Sequence, residues 1–492
     1  MIGMRCAWLV VAGLSCVVLS VGCKTSGVFN CADDSQCAGQ GEVGTCEPLG
    51  FCSFADGDCP SGQRYGEFSG ELSGVCVDEP NATDAGLPDA VTSCTPGERI
   101  CTGNRTLGTC GSSGNGIDPS LDVLCEFVCQ VDECVAAGNL PPAFADGCDS
   151  TAPPLAPASG TTVQVVNDDG PRIDCDPDCG DGTTEEIVSM DIGNNMAAFC
   201  VSALDIPDGI EVTVAAAIDQ SLVILVDGTA VIAGTIDVSG VDGDSTTAGR
   251  GGPGGGSGGL HSDAEGQPGG GACAGSGGGR VGLPNNFGAG GGGGGGYGGT
   301  GGAGGDGRSP NNSNIGPGGA GGGLCPGAEL ITLAGGSGGA SGGDGTCSGD
   351  CGWPGGGGGG AIQIASRASI SISGSLIASG GAGEGFANGN PSAGGGGGGG
   401  SGGAILLEAP AISIRGNLLV DGGAGGAAGG GAGGAGATGA EINGGPGADH
   451  DAAGDGGSGG GGGGGRVRVN GPDVVCANVS PVDSCSTGTL TP

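Results

Sequence analysis

Short runs of β-branched and polar residues begin after residue 160 and predict β-strands. The clearest are Glu211–Val214 and Ser221–Val226, because such runs suit a pleated surface of which one face or both are buried. A seven-residue phrase follows at 234–240, with a glycine at each end and aliphatic residues between. The same phrase returns at 374–380 and 416–422. Repetition of this kind indicates stacked structural units.

Each later phrase is preceded by two further strand-like runs. They are 361–364 and 370–372 before the second phrase, and 404–407 and 412–414 before the third. Three short strands per repeat, each with one aliphatic face, are what the stacked coils of a parallel β-solenoid require. We therefore predict a mainly β, β-helix-like solenoid over residues 161–492.

Very long glycine-rich insertions separate the repeats, at 241–360, 381–403 and 422–465. Such insertions are expected to leave a solenoid on one side. Loose loops are one expectation, because glycine loses the most conformational freedom on ordering. The alternative is a bundle of polyglycine II helices, which have three residues per turn and no internal hydrogen bonds. Packed side by side, such helices pair each backbone N–H and C=O with a neighbour.

Two features of the insertions favour the bundle. Small residues recur at intervals of about three in runs such as 251–259, 298–305 and 422–426, and the first insertion contains four cysteines. In this spacing the runs resemble the polyglycine cores of certain antifreeze proteins and phage adhesin tips, and the glycine-rich tails of mycobacterial PE-PGRS proteins. The helical PE domain is absent, so membership of that last family is not supported.

Cysteines divide the chain before the solenoid into modules. Of the 25 cysteines, those after the N-terminal segment fall into consecutive even-numbered groups, which predicts disulfides that close locally in an oxidising compartment. The pairing within each group stays open. Two groups define disulfide-rich modules at 23–77 and 94–140, separated by Pro- and Ala-rich linkers at 78–93 and 141–160. Modules of this size need disulfides because an apolar core alone is too small.

The first module contains the run Cys31-x5-Cys37-x8-Cys46-x5-Cys52, followed by Cys59-Pro60-Ser61-Gly62 and Gly74-Val75-Cys76. This arrangement resembles a cysteine module near the N-terminus of surface lipoproteins of myxobacteria and their relatives, most of them uncharacterised. The second module, with Cys94-x6-Cys101 and a later Cys110, resembles another small module of the same kind of protein. The resemblance implies a location at the cell surface and no particular activity.

The first 22 residues have the pattern of a lipoprotein signal peptide. A short basic start precedes an apolar run that is too short to span a bilayer. The segment Ser20-Val21-Gly22-Cys23 resembles the lipobox cut by lipoprotein signal peptidase, although Ser20 stands where leucine is usual. We predict that residues 1–22 are removed and that Cys23 carries a lipid. Because Lys24 follows, and not aspartate, we expect delivery to the outer membrane or cell surface; an ordinary secretory signal is the alternative.

The charge of the chain limits its partners. It has 13 basic and 52 acidic residues, for a formal net charge of −39. Self-repulsion on this scale favours solubility and opposes binding to nucleic acid, so we exclude nucleic acid as a partner. The expected partners are the membrane, through the N-terminal lipid anchor, and a polysaccharide or another cell-surface molecule.

Few residues could transfer protons. The two histidines, His261 and His450, lie in glycine-rich insertions without metal-ligand spacing. Parallel β-solenoids include polysaccharide lyases and hydrolases, which use clustered acids and cations. The residues that could serve such an enzyme are Asp237, Asp242, Asp244 and Arg367. They share no recognisable motif, so we predict no catalytic residue and interpret the acids as solvated turn residues.

One segment predicts a calcium site. Positions 1, 3, 5 and 12 of a calcium-loop pattern are occupied by Asp174, Asp176, Asp178 and Glu185. Cys179 stands at the position usually held by glycine. The alternative is an acidic loop pinned by a disulfide.

Together these features predict a non-enzymatic, surface-exposed lipoprotein that acts in adhesion or in the architecture of the cell envelope. One alternative is a polysaccharide-active solenoid enzyme. Another is binding of ice or a hydrated surface through ordered polyglycine helices.

Overall fold

The computed structural model describes parts of 37–77, most of 94–135, residue 148 and most of 152–490. The longer gaps are 1–36, 47–51, 67–75, 78–93, 136–147, 261–264, 276–287, 309–314, 346–351, 387–393 and 451–455. The predicted signal peptide and Cys23 therefore lie outside the described residues. The chain divides into two compact units, 1–91 and 92–492.

The chain is mainly β and contains almost no helix. In the parts of the chain that the structure describes, the helical segments are single 3-10 turns at Pro119–Leu121 and Val482–Ser484. None of the described residues forms a helix long and apolar enough to cross a membrane.

The first unit contains five short strands that pair in antiparallel fashion. They are β1 (Ala38–Gly39), β2 (Glu42–Val43), β3 (Thr45–Cys46), β4 (Cys52–Ala55) and β5 (Gln63–Tyr65). Among its described residues, the disulfides Cys37–Cys52 and Cys59–Cys76 connect segments of this module.

The second module has five further antiparallel strands. They are β6 (Arg99–Gly103), β7 (Thr106–Thr109), β8 (Val123–Leu124), β9 (Val128–Gln130) and β10 (Glu133–Val135). Its disulfides are Cys94–Cys110, Cys101–Cys129 and Cys125–Cys134. The other disulfides of the described residues are Cys148–Cys200, Cys175–Cys179, Cys273–Cys325 and Cys476–Cys485. Every bridge stays within one predicted cysteine group, so the prediction of local closure is confirmed for these pairs.

Four strands open the remaining part of the chain: β11 (Thr162–Asn167), β12 (Pro171–Asp176), β13 (Glu186–Val188) and β14 (Met190–Asp191). β11 and β12 form an antiparallel hairpin, and β11 also pairs in parallel with a later strand. Leu155, inside the predicted 141–160 linker, is buried and forms a parallel bridge with Leu204.

The chain then passes repeatedly through three short strands. The first two passes contain β15 (Met196–Val201), β16 (Leu204–Ile206), β17 (Glu211–Val214), β18 (Ser221–Val226), β19 (Thr229–Ile232) and β20 (Thr235–Asp237). A small hairpin, β21 (Gly307–Arg308) and β22 (Ile315–Gly316), lies in the first insertion. The later passes contain β23 (Ala361–Ser366), β24 (Ser369–Ile372), β25 (Ser375–Ile377), β26 (Ala404–Glu408), β27 (Ile412–Ile414), β28 (Asn417–Leu419), β29 (Arg466–Asn470), β30 (Val479–Ser480) and β31 (Cys485–Gly488).

Equivalent strands of successive passes lie side by side in three sheets. The first sheet has the order β14-β15-β18-β23-β26-β29-β31, the second β16-β19-β24-β27, and the third β13-β12-β11-β17-β20-β25-β28-β30. From β15 onward all these pairings are parallel. The three glycine-bounded phrases align residue for residue, with Ile236, Leu376 and Leu418 in register. The strands predicted from these phrases are confirmed.

One apolar core lies among the three sheets. Its fully buried side chains come from each of them, including Phe199, Ile232 and Leu376. The second sheet alternates buried and exposed residues, as β19 and β24 show, because only one of its faces meets this core.

The first sheet is buried on both faces. A second apolar cluster covers its other face and contains Phe127 and Val128 of the second module together with Tyr297 and Leu333 of the first insertion. Every residue of β18 and β23 is therefore buried. This double burial explains why Ser221–Val226 is an almost continuous apolar run and does not alternate.

Replacement of a buried residue that is in register with its equivalents in the neighbouring passes should lower the stability of the fold. Leu376 is 0% exposed, so Leu376→Ala should lower the free energy of unfolding by about 2–5 kcal/mol. Val231, on the second sheet, is 39% exposed, and Val231→Ala should change it by about 0.5 kcal/mol or less. The measurement is the guanidinium midpoint of the two variants. Equal shifts would contradict the placement of Leu376 in the core.

Candidate functional site: a bundle of glycine tracts

All three glycine-rich insertions occupy the same connection of the repeat. Each leaves a strand of the third sheet and returns to a strand of the first, between β20 and β23, β25 and β26, and β28 and β29. They therefore emerge at one corner, as predicted. We call their described residues the glycine bundle: 238–260, 265–271, 273–275, 288–308, 315–327, 330–345, 352–360, 378–386, 394–403, 420–450 and 456–465. Each straight segment within the bundle is a tract.

The inner tracts are surrounded by other tracts on all sides. Tract 394–403 is fully buried and is joined by backbone hydrogen bonds to six neighbours. These are 289–296, 337–343, 353–360, 378–384, 423–426 and 456–464. The partners are distant in sequence, so the glycine segments are packed and do not form loose loops in this part of the chain.

Hydrogen bonds in the bundle repeat every three residues. The N–H groups of Gly396 and Gly399 donate to Gly457 and Gly460 of one neighbour, at 3.0 and 2.9 Å between nitrogen and oxygen. The N–H of Gly400 points to a different neighbour and donates to Gly381 at 2.9 Å. A repeat of three residues per turn gives three rows of peptide groups. Each row of this tract donates to one neighbour and accepts from another, which satisfies the buried backbone.

Close packing of the tracts requires glycine at inner positions. A Cβ atom on Gly294 would lie 2.0 Å from the carbonyl oxygen of Gly461, which is far inside van der Waals contact. On the outside of the bundle the requirement disappears, since a Cβ on Gly323 would meet nothing within 4 Å.

Outer tracts turn one row of residues toward solvent. In tract 432–438, Ala432, Ala435 and Thr438 are exposed, whereas Gly434 and Ala437 are buried. The interval of three that the sequence shows is therefore the spacing of outward-facing positions. Larger side chains are accommodated there because no neighbouring backbone occupies the space.

Polar side chains of the outer rows accept hydrogen bonds from the adjacent tract. Asn443 Oδ1 accepts from the backbone N and from Oγ1 of Thr300, both at 2.9 Å. Six residues further along, Asp449 Oδ1 accepts from the backbone N of Asp306 at 2.8 Å. These side chains thus satisfy N–H groups that face outward and lack another tract to bond with.

The acids considered for catalysis have separate structural partners. Asp242 Oδ1 accepts from the backbone N of Ala382 at 2.6 Å, and Asp237 Oδ1 accepts from the backbone N of Ser239 at 2.9 Å. Asp244 accepts hydrogen bonds from the Thr247 hydroxyl and from nearby backbone N–H groups, and these hold its pKa well below its usual range. These are contacts of turn and tract residues.

Arg367, the cation of that set, lies on the side of the first sheet. It is 1% exposed, forms an ion pair of 2.6 Å with Asp227, and donates to the carbonyl oxygen of Cys148. The guanidinium therefore ties the segment at Cys148 to the turn after β18.

The four predicted calcium ligands are only partly described. Asp174 lies on β12, where its carboxylate pairs with Arg172 at 2.7 Å. Asp178 Oδ1 accepts from the backbone N of Gly180 and Gly182, and Asp176 is exposed at the end of the strand. Glu185 lies outside the described residues, so the calcium site stays a prediction.

Metal-ligand clusters are a separate question. Within the described residues, no group of three or more His, Cys, Asp or Glu side chains is arranged to hold a metal ion. His450 lies on tract 442–450, where its backbone N donates to the carbonyl oxygen of Asp306 at 2.9 Å. His261 lies outside the described residues.

Buried polar residues link three passes of the first sheet. Glu408 is 1% exposed and accepts from Gln363 Nε2 at 2.6 Å and from Asn470 Nδ2 at 2.9 Å. Arg468 Nε donates in turn to Asn470 Oδ1 at 2.9 Å. Buried charges need such partners, and this network serves the stacking of the strands.

A contact between a tyrosine and an arginine connects the bundle to the first sheet. Tyr297 ends an inner tract, and its hydroxyl donates to the carbonyl oxygen of Ala334 at 2.8 Å. Burial raises the pKa of Tyr297 to about 12. The guanidinium of Arg466, on β29, lies 5.0 Å from the centre of the Tyr297 ring, a cation–π contact.

Two further aromatic side chains meet at the opposite end of the tracts. The rings of Trp353 and Phe386 are stacked, with centres 6.2 Å apart and planes inclined by 9°. Phe386 is 37% exposed and Trp353 is partly exposed. Sequence patterns could not indicate this pair, because its members are 33 residues apart and belong to different insertions.

Comparisons with protein families, with curated proteins and with solved structures find no match to this chain.

Glycine at the inner positions is testable with a matched pair of variants. Gly294→Ala should force neighbouring tracts apart and cost about 1–3 kcal/mol or more of stability, as overpacking does. Gly323→Ala adds the same methyl group at an exposed position and should cost about 0.5 kcal/mol or less. Amide hydrogen exchange of tract 456–465, which packs against Gly294, reports the difference. Equal protection in the two variants would refute the tight packing.

The hydrogen bonds that side chains accept from outward N–H groups can be tested separately. Asn443→Ala removes the acceptor for the Thr300 N–H, so exchange of the Thr300 amide should accelerate about fivefold, given a hydrogen bond worth about 1 kcal/mol. Exchange at the buried Gly302 should change little. Pro446→Ala, on the same row, is the control. An unchanged Thr300 rate in Asn443→Ala would show that Asn443 does not protect this amide.

Proposed function

We propose that this chain is a non-enzymatic, surface-exposed lipoprotein that acts in adhesion or in the architecture of the cell envelope. In this proposal the three parallel sheets are the faces of a β-solenoid, and the glycine bundle is a polyglycine II assembly that projects from one corner of it. The lipid on Cys23 tethers the chain to the outer membrane. The two disulfide modules lie between the anchor and the solenoid in sequence.

The six-sided hydrogen bonding of the inner tracts is the observation that carries the proposal. A bundle whose inner tracts are bonded to neighbours on all sides is suited to holding its far end away from the sheets. The acids Asp237, Asp242 and Asp244 are bonded separately to the backbone, which favours a structural role for them.

Location in an oxidising, extracellular environment agrees with this role. Nine disulfides join cysteines among the described residues, and reducing compartments do not maintain such bridges. The net charge of −39 also favours a protein that stays dispersed and hydrated outside the cell.

Attachment of living cells under flow tests the proposal. Cells that make the chain should be retained on glass better than cells that lack it, and Gly323→Ala cells should match the wild type. Cys23→Ala should release the chain into the medium and abolish both palmitate labelling and retention. The readouts are the retained fraction and detergent sensitivity of the envelope. If loss of the chain alters neither, or if the purified chain cleaves polysaccharide, the proposal is wrong.

A further inference from the structure

The direction of the tracts defines a tip of the bundle. Tract 352–360 runs directly into β23, and tract 378–386 runs directly out of β25. Trp353 and Phe386 therefore lie at the ends of their tracts that are remote from the sheets. Eight residues separate Trp353 from Ala361, which corresponds to roughly 25 Å at about 3.1 Å per residue in an extended threefold helix.

The chain places scarce aromatic residues at this tip. Aromatic residues make up 3% of the sequence. Three of the other described ones, Phe127, Phe199 and Tyr297, are buried. Phe386, in contrast, is 37% exposed. Its stacking on Trp353 fixes the orientation of the two rings. An exposed ring whose orientation is fixed by a second ring beneath it is suited to contact with a flat partner.

The chemistry around the ring pair selects the kind of partner. Glu384 lies two residues before Phe386, and its backbone N donates to the carbonyl oxygen of Pro354 at 3.0 Å, which places it on the tract adjacent to Trp353. The face of an aromatic ring carries partial negative charge and attracts the C–H groups of a pyranose ring. A carboxylate such as that of Glu384 can accept hydrogen bonds from hydroxyl or ammonium groups.

The net charge of the chain disfavours anionic polysaccharides as partners. At −39, the chain repels anionic polysaccharides. A neutral or amino-sugar polymer meets no such barrier. The occupant favoured by these observations is therefore a polysaccharide built of neutral or amino-sugar pyranose units.

We propose that Trp353 and Phe386 form a stacking platform, at the tip of the glycine bundle, for pyranose rings of a neutral or amino-sugar polysaccharide. This inference rests on the proposed adhesive function and names the partner that adhesion would use. Trp353 forms the inner layer of the platform and Phe386 the outer layer.

Tryptophan fluorescence of the full mature chain gives a direct test. The sequence has two tryptophans, Trp8 and Trp353, and Trp8 lies in the predicted signal peptide. Emission from the mature chain therefore reports Trp353 alone. Titration with cello-oligosaccharides and chito-oligosaccharides should change that emission saturably for at least one of the two probes. Absence of any change with both probes, together with no retention on insoluble cellulose or chitin, would overturn the inference.

Variants at Phe386 separate stacking from folding. Phe386→Ala should weaken binding about tenfold, which corresponds to about 1.4 kcal/mol, because the outer ring face of the platform is lost. Phe386→Tyr keeps an aromatic face and should bind within about threefold of wild type. Leu324→Ala removes another exposed apolar side chain of the bundle, 62% exposed, and should bind as wild type does. Equal losses in Phe386→Ala and Phe386→Tyr, or none in either, would overturn the platform.

The cell assay distinguishes this inference from the function on which it rests. On glass coated with cellulose or chitin, Phe386→Ala cells should be retained less than wild-type cells. If they are retained equally, and the purified variant binds the sugars undiminished, the platform is refuted, while a difference between cells with and without the chain still supports adhesion. Hydrogen exchange of tract 394–403 should be the same in wild type and Phe386→Ala, which ensures that lost binding reflects the ring and not the bundle.

Discussion

Pairing of buried peptide groups is the constraint on which the glycine bundle depends. An inner tract has no side chains to bury, so its stability cannot come from apolar contacts. It must come from backbone hydrogen bonds made where water is excluded, and every group left unpaired there would be costly. A threefold repeat meets this demand in tract 394–403, because its three rows face six neighbours. The same demand excludes a Cβ at inner positions such as Gly294.

The parallel sheets supply what the tracts themselves lack, which is a fixed register. Tracts made of glycine alone could shift along one another by one turn and form equivalent hydrogen bonds again. Ile236 and Leu376 pair in the third sheet with an offset of 140 residues, and the bonds of Ser239 and Asp242 to the next tract have the same offset. The apolar ladder therefore sets the alignment of the tracts that continue from it. The buried side chains of the sheets therefore also determine which backbone groups of the bundle lie opposite one another.

Sequence patterns predicted the sheets more completely than the bundle, and the reason is physical. Strands such as Ser369–Ile372 are specified by aliphatic residues that are local in sequence, so their phrases could be recognised. Partner choice in the bundle is not local: Gly292 bonds to Gly396, and neither residue carries a side chain that indicates it. The spacing of small residues favours a bundle, but the sequence alone leaves loose loops as an alternative. The spacing of acids in the calcium pattern likewise could not reveal that Asp174 pairs with Arg172, two residues away on the same face of a strand.

The outer rows connect the packing of the bundle with the acidity of the chain. At the surface of the bundle an outward N–H group has no further tract to accept its hydrogen bond. A short side chain with an oxygen acceptor on the next tract can fill that place, as Asp449 does for Asp306. Lysine and arginine side chains carry only hydrogen-bond donors, so they cannot accept a hydrogen bond from an outward N–H group. Aspartate, asparagine and serine at outward positions therefore follow from backbone satisfaction. Part of the negative charge is thus a consequence of the fold, and it limits which polymers can approach the tip.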